Sequence, residues 1–381
     1  MTTHTQVSNQ QKTEVWKAYH AGAPTRVPVM LGTNPRVVIL NPALNPQGIT
    51  FEQAARDPRT HIEISLQHSL YRRTVVHQYT DDPMGLPDIW DVNLNVYNVY
   101  EAAIFGAAID YSPNQVPDTN PPFSGDADRE KVFDVDIEHP LDNPFIADRL
   151  RFWRELEKIC ADMEFEGRPV RLAPWALAGT DGPVTVAMNL RGAAFMEDLV
   201  LEPDYADRLM RFVTQAAILR RQAFWDYWGD RIGRDNGIAD DSVALISTEM
   251  YQRMVLPIHR LWYEAGPAGS RGIHLCGDAT RHFPLIRREL DVTRFDTGFP
   301  VDFGHLRDEL GDDVEVSGGP PVALLLKGTP DQVYQRTEQI LTSGIKRGGK
   351  FILREGNNLP PLVPEANLEA MYQACLDYGA Y

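Results

Sequence analysis

The chain has 381 residues, 43% of them hydrophobic and 24% charged, with a net charge of −16. That length buries a large core and allows one large domain or two smaller ones. Its acidic surface repels phosphate backbones and anionic lipids, which argues against nucleic acid and membrane as partners.

The three cysteines, Cys160, Cys276 and Cys375, lie far apart. No disulfide framework is expected, and a reducing, cytoplasmic setting is. The opening MTTHTQVSNQQKTEV lacks an apolar core and a basic start, so it is not expected to be a secretory signal. No window of the sequence offers the unbroken apolar run of a membrane span.

Residues 1–20 are expected to form a flexible N-terminal extension, followed by a single domain over 21–381. RVPVML (26–31) reads as a buried strand. ITFEQAARDPRTHIEISLQHSLYRR reads as helix, broken at Asp57-Pro58. YSPNQVPDTNPPFSGDADRE has no periodicity and reads as a long surface insertion. VRLAPWAL (170–177) is strand-like, and two helices turn at Glu202-Pro203. NGIADD (236–241) is a short strand. The helix that follows is expected to be capped by Ser247, with Glu249 completing a capping box. GIHLCG, TRFDTGFP, VEVSGG and KFILREG then alternate with helical segments, one of them starting at Thr329-Pro330.

This strand–helix alternation predicts an α/β fold, and the number of elements suits closure into a (β/α)8 TIM barrel better than an open sheet. No Gly-x-Gly-x-x-Gly follows the first strand, which counts against dinucleotide binding.

In such a barrel the reactive groups gather at the C-terminal ends of strands. Those ends offer Asp240 and Asp241, then His274, Cys276 and Asp278, then Asp296, then Glu355 and Asn357. Residues two apart on a strand share a face, so His274, Cys276 and Asp278 can converge, as can Glu355 and Asn357. Imidazole and thiolate are favoured zinc ligands. The alternative is a buried cysteine packing as a small hydrophobe beside a hydrogen-bonded histidine. Asp240 and Asp241 read either as a repelling pair with one raised pKa, a general acid, or as a helix cap and a salt bridge. Cys160 and Cys375 fall on helical patterns without evident chemistry.

The pieces HLCGDATRHFPLI, TGFPVDFGHLRDELGDDVEVSGGPP and GGKFILREGNNLPPLVPEANLEAMYQACLDYG resemble the uroporphyrinogen decarboxylase superfamily, which includes corrinoid- and zinc-dependent methyltransferases. The resemblance spans roughly residues 25–381 and implies the TIM barrel. True uroporphyrinogen decarboxylases carry Met-Arg-Gln-Ala-Gly-Arg near the N-terminus, whereas this chain has PVMLGTNPRVVI with only Arg36 nearby. Counter-charges for a porphyrin's carboxylates are therefore missing. The methyltransferase branch instead shares His-x-Cys, and the resemblance makes His274 and Cys276 zinc ligands. Its third ligand is often a cysteine in a Gly-Cys-Gly turn; here Asn357 stands in that place within EGNNLPP, so either Glu355, on the same face, substitutes as the third ligand, or the metal is held otherwise, or there is none.

The resulting expectation is an enzyme moving a methyl group between a small methylated compound, such as an aryl methyl ether, and a corrinoid. No Asp-x-His-x-x-Gly cobalamin motif occurs in the chain, so the corrinoid would sit on a separate partner protein. Asp240 and Asp241 are the expected catalytic groups, and Arg191, Asp278 and Asn357 the expected substrate contacts. A homodimer is implied by the resemblance. The alternative is a metal-free decarboxylase of a small acid, with Arg191 and Arg354 holding the carboxylate.

Overall fold

Five parallel strands carry the candidate site in the computed structural model, which describes residues 7–381. Among the strands that precede them in the chain are β1 (Trp90–Val92) and β2 (Arg168–Leu172). The five are β3 (Asn236–Ala239), β4 (Arg271–Leu275), β5 (Val292–Thr297), β6 (Glu315–Gly318) and β7 (Phe351–Leu353). They lie side by side in chain order, every neighbour parallel. Each connection includes a helix: Leu256–Glu264, Phe283–Leu290, Phe303–Leu310 and Pro330–Thr342. The α/β expectation is met.

Continuous eight-stranded closure is not seen in the strand pairing. The 26–31 segment meets β7 through a single bridge, Val29 to Leu353. On the other edge Ala239 N donates to Thr180 O at 3.2 Å. β1 and β2 form a separate sheet with Glu164–Phe165. Proline explains both short segments. Pro28 and Pro174 have no N–H to give a ladder, so extended backbone there runs beside its neighbours with sparse pairing. Buried indoles take up the freed carbonyls: Trp153 donates to Ala173 O at 2.9 Å and Trp228 to Trp175 O at 2.7 Å.

Most expected helix boundaries appear with their caps. Asp57 accepts from Thr60 N at 2.8 Å and starts the helix Pro58–Thr74. Thr329 and Gln332 form a reciprocal capping box. Glu202 separates Ala194–Leu201 from Pro203–Trp228. Ser247 does cap a helical turn, but through Met250 N. Glu249 is one position too early to return the bond, so the expected capping box does not form. Further along, Tyr251–Val255 is a π-helical turn; Pro257, lacking an N–H, follows it at the start of Leu256–Glu264.

The expected N-terminal extension needs correction. Residues 9–20 are a helix, Asn9–His20, started by a Ser8–Gln11 capping box, with Lys12, Val15 and Tyr19 buried. Polar residues cover one face only, and Tyr19 Oη donates to Glu315 Oε2 at 2.8 Å, tying the helix to β6. Residues 1–6 of the expected extension lie outside the described residues. The insertion at 112–130 is irregular apart from a small antiparallel pairing of Ile109–Asp110 with Asp118–Thr119 and a 3-10 turn from Arg129. Cys160 and Cys375 are buried in helices. No helix among the described residues is long and apolar enough to cross a membrane.

Several buried charges hold loops in place. Arg307 is 0% exposed and donates to four carbonyls: Ile345 at 3.0 Å, Gly311 at 2.8 Å, Val314 at 2.7 Å and Lys350 at 3.1 Å. An Arg307→Met variant would strand these acceptors and should lose about 3 kcal/mol or more of stability in urea melts; a loss near zero would show the contacts dispensable.

His282 gives a pH signature. Its Nε2 lies 3.0 Å from Val243 O, and its ring stacks on Tyr251. Burial pushes its pKa down to about 4, only partly opposed by the Val243 bond. The folded state therefore keeps this ring neutral where the unfolded chain protonates it. That contribution is complete above about pH 6.5 and is lost as pH falls toward 4, by up to ~1.4 kcal/mol per unit. Melts of the wild type and His282→Gln between pH 7 and 4 should converge at the acid end.

Candidate metal centre

Register places the centre. In the parallel ladder Ala239 pairs with His274, His274 with Asp296, and Asp296 with Ser317. Side chains at one level of adjacent strands then face the same way. His274 Nδ1 lies 2.7 Å from Asp296 Oδ2, and Ser317 Oγ donates to the other oxygen at 2.9 Å. Arg354, just past β7, donates to Asp296 at 2.9 Å. With Nδ1 engaged by a carboxylate, Nε2 is aimed at the strand ends.

There Nε2 meets Cys276 Sγ at 3.0 Å and Asp241 Oδ1 at 3.8 Å. The three donor atoms lie within 4.8 Å of one another. Cys276 N donates to Asp241 Oδ1 at 2.7 Å, fixing the carboxylate across from the sulfur. Asn357 Nδ2 donates to Sγ at 3.2 Å. Gly298 permits this turn, since a Cβ there would stand 2.5 Å from Cys276 Cα. His274 is a contest between opposing effects. Burial lowers its pKa, but hydrogen bonds to Asp296 and Cys276 outweigh it and push the group up to about 10. Asp296 is held below its usual range despite burial, through His274 and Arg354.

Imidazole nitrogen, thiol sulfur and carboxylate oxygen are the donor types zinc accepts, and three protein donors leave one position for a substrate or water. The residues present therefore fit such an ion. The side chains of His274 and Asp241 are 28% and 45% exposed, so the donors face an open mouth.

The structure brings Asp241, His274, Cys276 and Asn357 together, and it redistributes the other expected site residues. Glu355, expected as the third ligand, is fully buried; both its oxygens accept from Gly32 N at 3.1 Å, and Oε1 also accepts from Arg354 at 2.9 Å. Burial raises its pKa to about 7 against the pull of Arg354. Its carboxylate is committed to a backbone turn, and the carboxylate grouped with His274 and Cys276 is that of Asp241. Asn357 meets the sulfur and its own chain, its Oδ1 accepting from Asn358 N at 2.7 Å.

Asp240, expected as a catalytic acid, is sealed at 0% exposure. It accepts from Thr185 N at 2.8 Å and Val184 N at 3.3 Å, capping the helix Pro183–Arg191, and faces His259 Nε2 at 2.9 Å. A substrate cannot reach it, so its work is structural. Arg191, expected to hold substrate, is 2% exposed and bound to Asp198 at 2.8 Å, Asp126 at 2.5 Å and Ser124 O at 2.6 Å. It ties down the insertion. Asp278 follows Gly277, whose φ of +72° ends the strand alternation; it lines a separate 550 Å³ hollow with Phe299, Asp302 and Arg336.

Two acidic residues were overlooked in the sequence. Glu101 and Arg220, both nearly unexposed, form an ion pair of 2.8 Å. Beside them, burial, then the charges of Glu101 and Asp241, push Asp181 up to about 7. Only the acid immediately before Gly182-Pro183, at a helix start, hinted at it.

The model of the family described as uroporphyrinogen decarboxylase (URO-D) matches residues 10–378. The chain is 24% identical over 199 residues to a methylcobamide:CoM methyltransferase MtbA of Methanosarcina acetivorans, covering 52% of this chain and 56% of that protein. It is 32% identical over 142 residues to a methylated-thiol–coenzyme M methyltransferase of Methanosarcina mazei, 36% of each. These matches span about half or less of the relatives' lengths. A solved methyltransferase from Methanosarcina mazei shares the fold, with a TM-score of 0.64 at 16% identity over 97% of this chain and 99% of that one. With the family match running almost end to end, the chain belongs to the uroporphyrinogen decarboxylase (URO-D) family.

Proposed function

We propose that this protein is a methyltransferase that moves a methyl group between a small substrate and a corrinoid carried on a separate protein, with zinc held by Asp241, His274 and Cys276. The observation that carries this reading is the convergence of those three donors at one open mouth, with His274 oriented from behind by Asp296. The named methyltransferases among the relatives support the reaction type, and their thiol and coenzyme M substrates favour a thiol as one methyl acceptor. An aryl methyl ether is the donor suggested by the family resemblance.

When bound, the zinc ion would act as a Lewis acid toward a thiolate, alkoxide or phenoxide. The chain's own groups set the rest. Asp296 keeps Nδ1 engaged so that Nε2 points at the mouth. Arg354 and Ser317 hold Asp296 as an anion in a partly buried position. Asn357 donates to the sulfur and so draws charge from it, whereas a further thiolate in its place would add negative charge to the ion. The decarboxylase alternative loses its anchors, since Arg191 and Arg354 are each already paired with carboxylates.

Elemental analysis of the purified chain should find about one zinc per molecule, and Cys276→Ala should remove it; a wild type that binds no zinc on reconstitution would overturn the assignment. Asp296→Asn, leaving the three donors intact, should weaken zinc about 10–100-fold in a chelator competition. Unchanged affinity would show that the orienting bond is unimportant. In contrast, Glu355→Gln should leave zinc stoichiometry at wild-type level, which separates it from Asp241.

A further inference from the structure

A second cavity, of about 150 Å³, lies apart from the metal donors, and none of Asp241, His274 and Cys276 lines it. Its walls come from the helices Phe51–Arg56, Pro58–Thr74 and Pro144–Cys160 and from the small pairing around Ile109 and Pro117. Phe51, Tyr97, Tyr111 and Phe145 bring four aromatic rings to it. Phe51 and Tyr97 meet edge to face, centroids 5.2 Å apart and planes at 79°. An apolar void of this size holds a single benzene-sized ring.

The wall is built at a cost. Tyr97 has a φ of +53°, in the left-handed region that a bulky side chain rarely enters. Asn95 stabilises that turn by accepting from Tyr97 N at 2.8 Å. Strain of this kind persists where surrounding structure enforces it, and it gathers at ligand sites. Here its result is an aromatic ring set into the cavity wall.

The polar groups fix the class of ligand. Neither the Tyr97 nor the Tyr111 hydroxyl has a hydrogen-bonding partner among the described residues. Burial raises both phenols, so both stay neutral and able to donate. Arg149 and Asp148 satisfy each other, Nε to Oδ2 at 3.1 Å, and Arg149 also donates to Ala55 O at 2.7 Å. His61 is engaged on both nitrogens, by Ala54 O and Asn93 O, each at 3.0 Å. No net charge is left over to attract an ion. Two hydroxyl donors and four rings are on offer.

We propose that this cavity is a binding site for one neutral, monocyclic aromatic molecule carrying a small oxygen substituent, of the phenol or anisole type. The ring packs against Phe51 and Phe145, and the oxygen accepts from a tyrosine hydroxyl. This inference does not depend on methyl transfer or on zinc.

Calorimetric titration of the full chain with anisole tests it, with benzoate as the charged comparison. One saturable site per chain is expected, with benzoate at least tenfold weaker because the carboxylate finds no unpaired cation. Ala55→Phe places a ring in the space and should weaken anisole binding at least tenfold. Tyr111→Leu, which keeps an apolar side chain but removes the hydroxyl and ring, should weaken it as well and serves if Ala55→Phe does not fold. Cys276→Ala should bind anisole as the wild type does. The proposal is overturned by absence of saturable binding, by benzoate binding equally well, by full affinity in a folded cavity variant, or by loss of binding in Cys276→Ala. Zinc content, measured separately, reports on the metal centre alone.

Discussion

The hydrogen bond between His274 and Asp296 is the constraint on which the candidate site rests. It joins two neighbouring parallel strands at paired positions, so the ladder itself sets its length. A slip of one residue in β5 would turn Asp296 to the opposite face and free the imidazole to rotate. The packing behind the sheet thus does chemical work at a distance. It fixes register, register fixes the carboxylate, and the carboxylate fixes the direction of one ring nitrogen.

Asp240 and Asp241 show how one peptide bond divides structure from chemistry. β3 ends at Ala239 and the chain then turns, so the adjacent carboxylates leave in different directions. Asp240 goes inward to cap a helix and meet His259. Asp241 goes outward to the Cys276 amide and the donor cluster. Burying the first locks the turn that exposes the second. Arg191, Arg220 and Arg307 act on the same principle elsewhere, each spending a buried guanidinium on loop carbonyls, joined by carboxylates at Arg191 and Arg220. Buried charge in this molecule positions the irregular segments around a regular sheet.

Much of the fold was legible because its signals are local. Asp57, Thr329 and the Glu202-Pro203 break act within a single helical turn, and all appear where sequence places them. Short apolar-centred runs bounded by glycine or charged residues marked β3 to β7 for the same reason. The Asn9–His20 helix was missed because its polar composition masks a narrow buried stripe. The Ser247 box was misread by one position, a distinction that depends on where the first turn begins. At the candidate metal centre, the spacing of two along a strand predicted that His274 and Cys276 share a face, and the family resemblance is what marked them as a ligand pair. Glu355 was misassigned because shared strand parity with Asn357 says nothing about Gly32, which comes from the other end of the chain.

By itself the sequence determined alternation, caps, the absence of a disulfide framework and the His-x-Cys pair, since each depends on residues within a few positions of one another. Only the tertiary structure decided which carboxylate joins that pair, that Asn357 meets the sulfur, that Asp240 and Arg191 are sealed, and that four rings from distant segments enclose a void. Those outcomes turn on distances between residues far apart in the chain, and a hydrogen bond or a cavity exists only once such residues are packed within a few ångströms.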